Sequence, residues 1–249
     1  MSTSYQVLLE EFCEELGALS TLVSAAGDPQ LGSPAVRVAG ANAAVLLLAA
    51  TFEEFVREMA RAYARDVVAK TAVFARLPTK LASTAWRRTL ETLARADPNK
   101  RSDGLTKESI LAEAQAKFSA LYAFSRGDLS QEIYSDLIHN ENNMRAGEVN
   151  KLFGISGLKN VCERVCSSDD VKHHFGEEEP SVVSGMLNAA LEEFFDRRNQ
   201  IAHSIRAMRS SSPITIENDI ALFRCFGTAL RTAVETSLSP EPNVTEPAA

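Results

Sequence analysis

Asp196-Arg197-Arg198-Asn199-Gln200-Ile201-Ala202-His203 is the stretch on which the reading of this chain turns. It closes a segment in which Met186, Leu187, Ala190, Leu191, Phe194 and Phe195 recur at helical spacing and mark one apolar face. Beyond His203 come Ser204, Arg209, Ser210, Ser211, Ser212 and Pro213, the composition of a loop. An arginine, an asparagine and a histidine therefore occupy the last turns of a packed helix, close to solvent. On such a helix Arg198 and His203 stand about 140° apart around the axis and about 7.5 Å apart along it. One copy does not readily bring both onto one small target. Two copies packed about a two-fold axis would, each giving an arginine and a histidine to a shared cleft.

Arg198-Asn199-x-x-x-His203, followed by Ser204, resembles the R-N-x-x-x-H signature of HEPN domains. The string from Arg198 to His203 is similar to that of bacterial HEPN proteins of the RiboL-PSP type. The resemblance implies an all-α domain that forms a two-fold homodimer: a HEPN-like helical bundle with additional helices. Many members of the family are metal-independent ribonucleases of toxin–antitoxin, antiphage and RNA-degradation systems. Others have lost catalysis and serve as binding modules. Thr51-Phe52-Glu53-Glu54-Phe55 resembles the aromatic-Glu-x-aromatic segment of the related helix, and by that match Glu53 faces the Arg–His motif. The residues alone leave Glu53 open between a partly buried carboxylate that needs a cationic partner and an ordinary exposed one. Asn140-Glu141-Asn142-Asn143, ahead of Val149 to Leu152 and Gly154, resembles the Asn-rich turn of this branch and bears on the fold only.

Composition agrees with helices: Ala and Leu are abundant, and Gly and Pro are few inside the periodic segments. At 249 residues the chain can bury a full core, and one domain over 1–238 is expected, with 81–166 as a possible helical insertion. No basic residue precedes Arg37 and no signal-peptide-like segment opens the sequence. The apolar run 41–50 is short for a bilayer span and continues into charged helix. Cys13, Cys162, Cys166 and Cys225 lack a disulfide-scaffold pattern. The expectation is a cytoplasmic protein without a membrane partner. The net charge of −7 argues against an indiscriminate nucleic-acid binder, but it is unevenly spread. Between 57 and 101 the acids are only Glu58, Asp66, Glu91 and Asp97 among many Lys and Arg, whereas acids gather at 10–15, at 177–179 and in the tail.

Taken in order, helical spacing predicts helices over 5–26, 41–68, 81–96, 107–124, 130–139, 145–153, 158–166 and 216–238, besides the motif helix. A loop holding Gly32, Pro34 and Gly40 follows the first, and Ser181 or Ser184 is expected to cap the motif helix. Residues 98–104 read as turn and polar loop, and 239–249 as a disordered acidic tail. In the second helix the apolar first half is expected in the core or a dimer interface. Its arginine stripe, Arg57, Arg61 and Arg65, reads either as a solvated face paired with Glu54 and Glu58 or as an RNA-phosphate track. Trp86, beside Arg87 and Arg88, reads as core, interface or a stacking platform for a base. Cys162, Cys166, His173 and His174, the two histidines within what reads as a charged loop, invite a zinc reading, but their spacing does not match paired zinc ligands, and no metal is expected. His139 reads as a capping or surface residue.

Cleaving RNA without metal needs a base for the ribose 2′-OH, an acid for the leaving 5′-oxygen and positive charge on the phosphorane. Histidine suits proton transfer at neutral pH, and arginine donates two hydrogen bonds at once to developing phosphate charge. The expected site is Arg198 and His203, with Asn199 orienting phosphate or imidazole and Glu53 as a fourth member. By register to the family motif Arg197 matches less well than Arg198 as the catalytic partner, although its spacing also falls within the family's range, and it is assigned with Arg57, Arg61 and Arg65 to RNA contact. The expected function is a cofactor-free endoribonuclease of a bacterial defence or toxin–antitoxin system, leaving 2′,3′-cyclic phosphate ends. Its partners would be RNA, a second copy, and an antitoxin or another defence protein. The alternatives are a non-catalytic HEPN module that binds RNA, a nucleotide or a protein, and a helical scaffold that dimerises, in which Arg198 pairs with Asp196 or another neighbouring acid and His203 is a polar helix C-cap.

Overall fold

The computed structural model describes residues 3–30, 32–71, 73–97, 106–139, 142–203 and 211–238. The expectations placed on residues 98–104, Asn140 and Glu141, 204–210 and the tail from 239 lie outside the described residues. Every described element is helical: α1 (Ser4–Gly27), α2 (Pro34–Thr71), α3 (Thr79–Arg95), α4 (Lys107–Ser125), α5 (Tyr134–Leu137), α6 (Ala146–Ile155), α7 (Val161–Cys166), α8 (Asp169–Phe175), α9 (Pro180–Ala202) and α10 (Pro213–Leu238), with a 3-10 turn at Phe74–Arg76.

The long helix α2 is the axis. It packs on α1, α9 and α10 along one side and on α5 and α6 further along its length. Tyr5, Leu9, Phe12, Leu16, Leu19 and Val23 recur every third or fourth residue of α1, so one stripe is buried against α2 and α10. Gly227 of α10 lets the two backbones approach: a Cβ there would lie 3.1 Å from Phe12 and 3.2 Å from Leu9. Where α2, α9 and α10 meet, Phe52 stacks on Phe223 at 4.2 Å, and Phe226 and Phe194 set their edges against that pair. This aromatic knot fixes the height of α9 against α2, and with it the height of the motif. The segment read as a possible insertion, 81–166 (α3 to α7), adds Leu81, Leu121, Phe124 and Leu137 among others to the same continuous core.

Several boundaries differ from the sequence reading, each for a local reason. α2 begins at Pro34, not near 41: proline is tolerated in a first turn, and Gly40 stays helical because α1 crosses closely there, with Ala26 3.1 Å from a Cβ position. Only Tyr134–Leu137 of 130–139 is helical, because the Asp128 carboxylate gathers the backbone and side chain of Ser130 and the side chain of Gln131 into a turn. Asp169–Phe175, read as charged loop, is a helix. Its acids, Asp169 and Asp170, lie in the first turn and Lys172, His173 and His174 in the last, the order the helix dipole favours, and Gly176 closes it at φ 66°. The motif helix is entered through Glu179 with Pro180 at its first position, so Ser181 and Ser184 are inside it and not its cap.

α2 has a stretch long and apolar enough, by length and composition, to cross a membrane. One side of it is core: Ala44, Val45, Leu48, Ala49 and Phe52 are buried. On the other side Val36, Ala39, Ala43, Leu46, Leu47 and Ala50 are exposed, within an arc of about 120° that runs on into Glu53, Glu54 and Arg57.

Candidate active site

The site forms where the C-terminal end of α9 passes the middle of α2. Val183, Leu187, Leu191, Phe194 and Phe195 are the buried face of α9, and Arg198 falls on that same face one turn later. The helix that buries its phenylalanines therefore aims Arg198 at α2, where Glu53 stands one residue after Phe52. Arg198 acts electrostatically on Glu53, and the Met144 backbone N–H donates to the Glu53 carboxylate. Burial raises the Glu53 pKa above the ordinary glutamate range, and Arg57, Arg198 and the Met144 N–H offset that only in part.

Asn199, the next residue, accepts two hydrogen bonds on its Oδ1: from Arg198 Nη1 at 3.2 Å and from Asn143 Nδ2 at 3.0 Å. His203 is the C-cap of α9, its backbone N–H donating to the Asn199 carbonyl at 3.0 Å, and its side chain is exposed. Arg198, Asn199 and Glu53 are thus brought together within one chain, while His203 projects into solvent on another side of the helix. Asp196 is taken by Arg145, at 2.6 Å, and Arg145 also pairs with Glu192.

The other residues assigned to RNA contact are engaged in ion pairs, and Arg57 also acts electrostatically on Glu53. Arg197 donates through Nη2 to both oxygens of Asp219 on α10, at 2.6 and 2.7 Å, and through Nη1 to Glu193. Arg57 pairs with Glu54 at 2.7 Å, Arg61 with Glu54 at 3.1 Å and with Glu58, and Arg65 with Glu132 at 3.1 Å. Arg65 also lies over the Tyr134 ring, 5.2 Å from its centroid. Trp86 is partly exposed on α3. Cys162 and Cys166 are buried on α7, and desolvation pushes the Cys162 thiol up to about 12. His173 and His174 lie on α8, and among the described residues no group of three or more His, Cys, Asp or Glu is arranged to hold a metal ion. His139 is exposed.

Asn143, the Met144 amide and Arg145 were missed as site residues. The Asn-rich segment that holds Asn143 was visible, but nothing local says that it reaches a helix 56 positions later.

A family model for RiboL-PSP-HEPN proteins matches residues 10–236. The chain belongs to this HEPN family. The match runs from α1 to within the last turn of α10 and includes the segment 81–166. No curated protein and no solved structure matches the chain. HEPN domains are often ribonucleases, and the family is also compatible with a nucleotide-binding module.

Proposed function

We propose that the protein is a metal-independent endoribonuclease whose cleft is completed by a second copy of the chain, working in a bacterial defence or toxin–antitoxin setting. The observation that carries this reading is the junction of α9 with α2. There a half-buried Arg198 and Asn199 are locked beside Glu53 while His203 stands free at the helix end. Arg198 supplies charge and Asn199 a directional group for a phosphate. His203, on another side of α9, reaches a phosphate held by the opposite copy. The exposed apolar face of α2, from Val36 to Ala50, leads into Glu53 and supports burial against that copy.

In the proposed reaction one imidazole takes the proton of the ribose 2′-OH, whose oxygen attacks phosphorus. The P–O5′ bond breaks, and the other imidazole, as imidazolium, gives its proton to the leaving oxygen. The arginines hold the charge on the phosphorane, and the products are a 2′,3′-cyclic phosphate and a 5′-hydroxyl. DNA lacks the nucleophile and is spared.

The second reading is a HEPN module that binds RNA, a nucleotide or a protein without cleaving. The net charge of −7 and the pairing of Arg57, Arg61, Arg65 and Arg197 with carboxylates favour it, since they leave little cationic surface around the site. The deciding experiment is incubation of a mixed RNA pool in EDTA with wild type and His203→Ala, with product ends analysed and the mass in solution measured. The proposal expects a dimer, cyclic-phosphate ends and loss of cleavage in the variant. A folded dimer that leaves RNA intact would favour the binding module, and cleavage by a single-chain species would remove the shared cleft.

A further inference from the structure

Three consecutive residues ahead of α6 tie a strap to the site at separate points. Asn143 donates to Asn199, the buried Met144 donates its backbone N–H to Glu53, and Arg145 pairs with Asp196 and Glu192 on α9. The strap thus joins α9 to α2 beside Arg198 and Asn199.

The chemistry of these bonds fixes an orientation. A guanidinium has donors and no acceptor, so the atom of Asn199 that meets Arg198 must be the amide oxygen. Asn143 meets that same oxygen and must present its own nitrogen. Two donors on Oδ1 turn the Asn199 NH2 group away from Arg198 and leave it as the unspent donor of that side chain. With Arg198 alone the amide is held by one bond to a long side chain. With Asn143 it is held from a backbone that is itself pinned at the next two residues.

We propose that Asn143 is a positioning residue. It locks Asn199 so that its NH2 group, next to the Arg198 guanidinium, is presented to the RNA phosphate. The inference rests on the ribonuclease reading for its consequence and on the strap geometry for its mechanism. Asn143→Asp is the sharpest variant, because its carboxylate can only accept. It would draw the Asn199 NH2 and the Arg198 guanidinium toward itself and off the phosphate.

The test is steady-state cleavage of an RNA oligonucleotide in EDTA by full-length wild type, Asn143→Ala, Asn143→Asp, Asn199→Ala and the Asn143→Ala/Asn199→Ala double variant, each confirmed folded by its helical circular dichroism. The expected result is a kcat about 10-fold to 100-fold lower in Asn143→Ala with KM little changed, and a larger loss in Asn143→Asp. In the Asn199→Ala background the Asn143 substitution should add nothing, because it acts through that side chain. An unchanged kcat in Asn143→Ala, or an equal further loss in the Asn199→Ala background, would overturn the proposal. If wild type itself cleaves nothing, the ribonuclease reading fails and the strap is judged separately. The Asn199 side-chain amide, assigned in 15N spectra by its absence from Asn199→Ala, should then shift and exchange faster in Asn143→Ala. An unmoved resonance would sink the positioning role as well.

Discussion

Arg197 and Arg198 are neighbours on α9, and the fold puts them in opposite circumstances. A rotation of about 100° separates them. Arg197 is turned to α10, where Asp219 takes two of its hydrogen bonds, Glu193 takes another and the Phe194 ring lies 5.8 Å away. Arg198 continues the buried face of the helix and meets the neutral oxygen of Asn199 and the half-buried Glu53. The first arginine is spent on holding two helices together, while the second keeps hydrogen-bonding capacity for a ligand. Two cations adjacent in sequence therefore differ by which side of one helix is already neutralised.

The largest effect that would break this comparison is on cleavage. Arg198→Ala should lower kcat by about 100-fold to 1000-fold, the usual consequence of removing a donor aimed at developing negative charge. Its melting temperature should stay near that of wild type. Cleavage unaffected by the substitution would erase the distinction between the two arginines.

Arg197→Ala should do the reverse, with cleavage by the remaining folded protein retained and stability lowered by about 3–5 kcal/mol, because a buried carboxylate is left without its cation. The pH dependence has a defined sign. Burial already lifts the Asp219 carboxyl to about 6, and Arg197, though its Nη2 donates to both carboxylate oxygens, only partly opposes this. A carboxyl raised in the folded state contributes its stability fully below the unfolded pKa and loses it as pH rises toward the folded value. Without Arg197 the folded value rises further, so above about pH 6 wild type has finished losing stability while the variant continues to lose it. Melting temperatures taken from pH 5 to 8 should show the gap widening with pH. A constant gap would mean that Asp219 is not the residue left stranded.

What was legible in the sequence follows the same division between local and distant causes. The periodic apolar face of the motif helix, and with it the placing of Arg198, Asn199 and His203 in its last turns, could be read directly, because helix geometry alone relates those positions. The approach of Glu53 to the motif came from the resemblance, since the residues alone left it open between a partly buried carboxylate and an exposed one. α8 was legible in principle and was misread, since its acids-first, bases-last order is a helix signature that a count of charges conceals. The pairing of Arg197 with Asp219, set between the buried Ile216 and Ile220, and the reach of Asn143 to Asn199 were not legible. Both depend on how separate helices are rotated against one another, which pattern within a single helix does not encode.

The smallest expected effect concerns the arginine stripe of α2, and it separates the two readings that the sequence left open. Arg65 is exposed, pairs with an exposed Glu132 and covers the Tyr134 ring. A surface ion pair is worth about 0–1 kcal/mol, and an exposed cation–π contact adds about 0.5–1 kcal/mol. Arg65→Ala should therefore change stability by no more than about 1 kcal/mol. If the stripe is a self-paired surface, RNA affinity in this variant should follow wild type at every salt concentration. If it is a phosphate track, removing one arginine should reduce the slope of log affinity against log salt by about one phosphate contact. Ion pairs within the stripe compete with phosphate for the same guanidinium donors, so the salt series reads the strength of that competition directly. A flat comparison would remove Arg65 from the residues proposed to meet RNA and leave the proposal to rest on the α9 end.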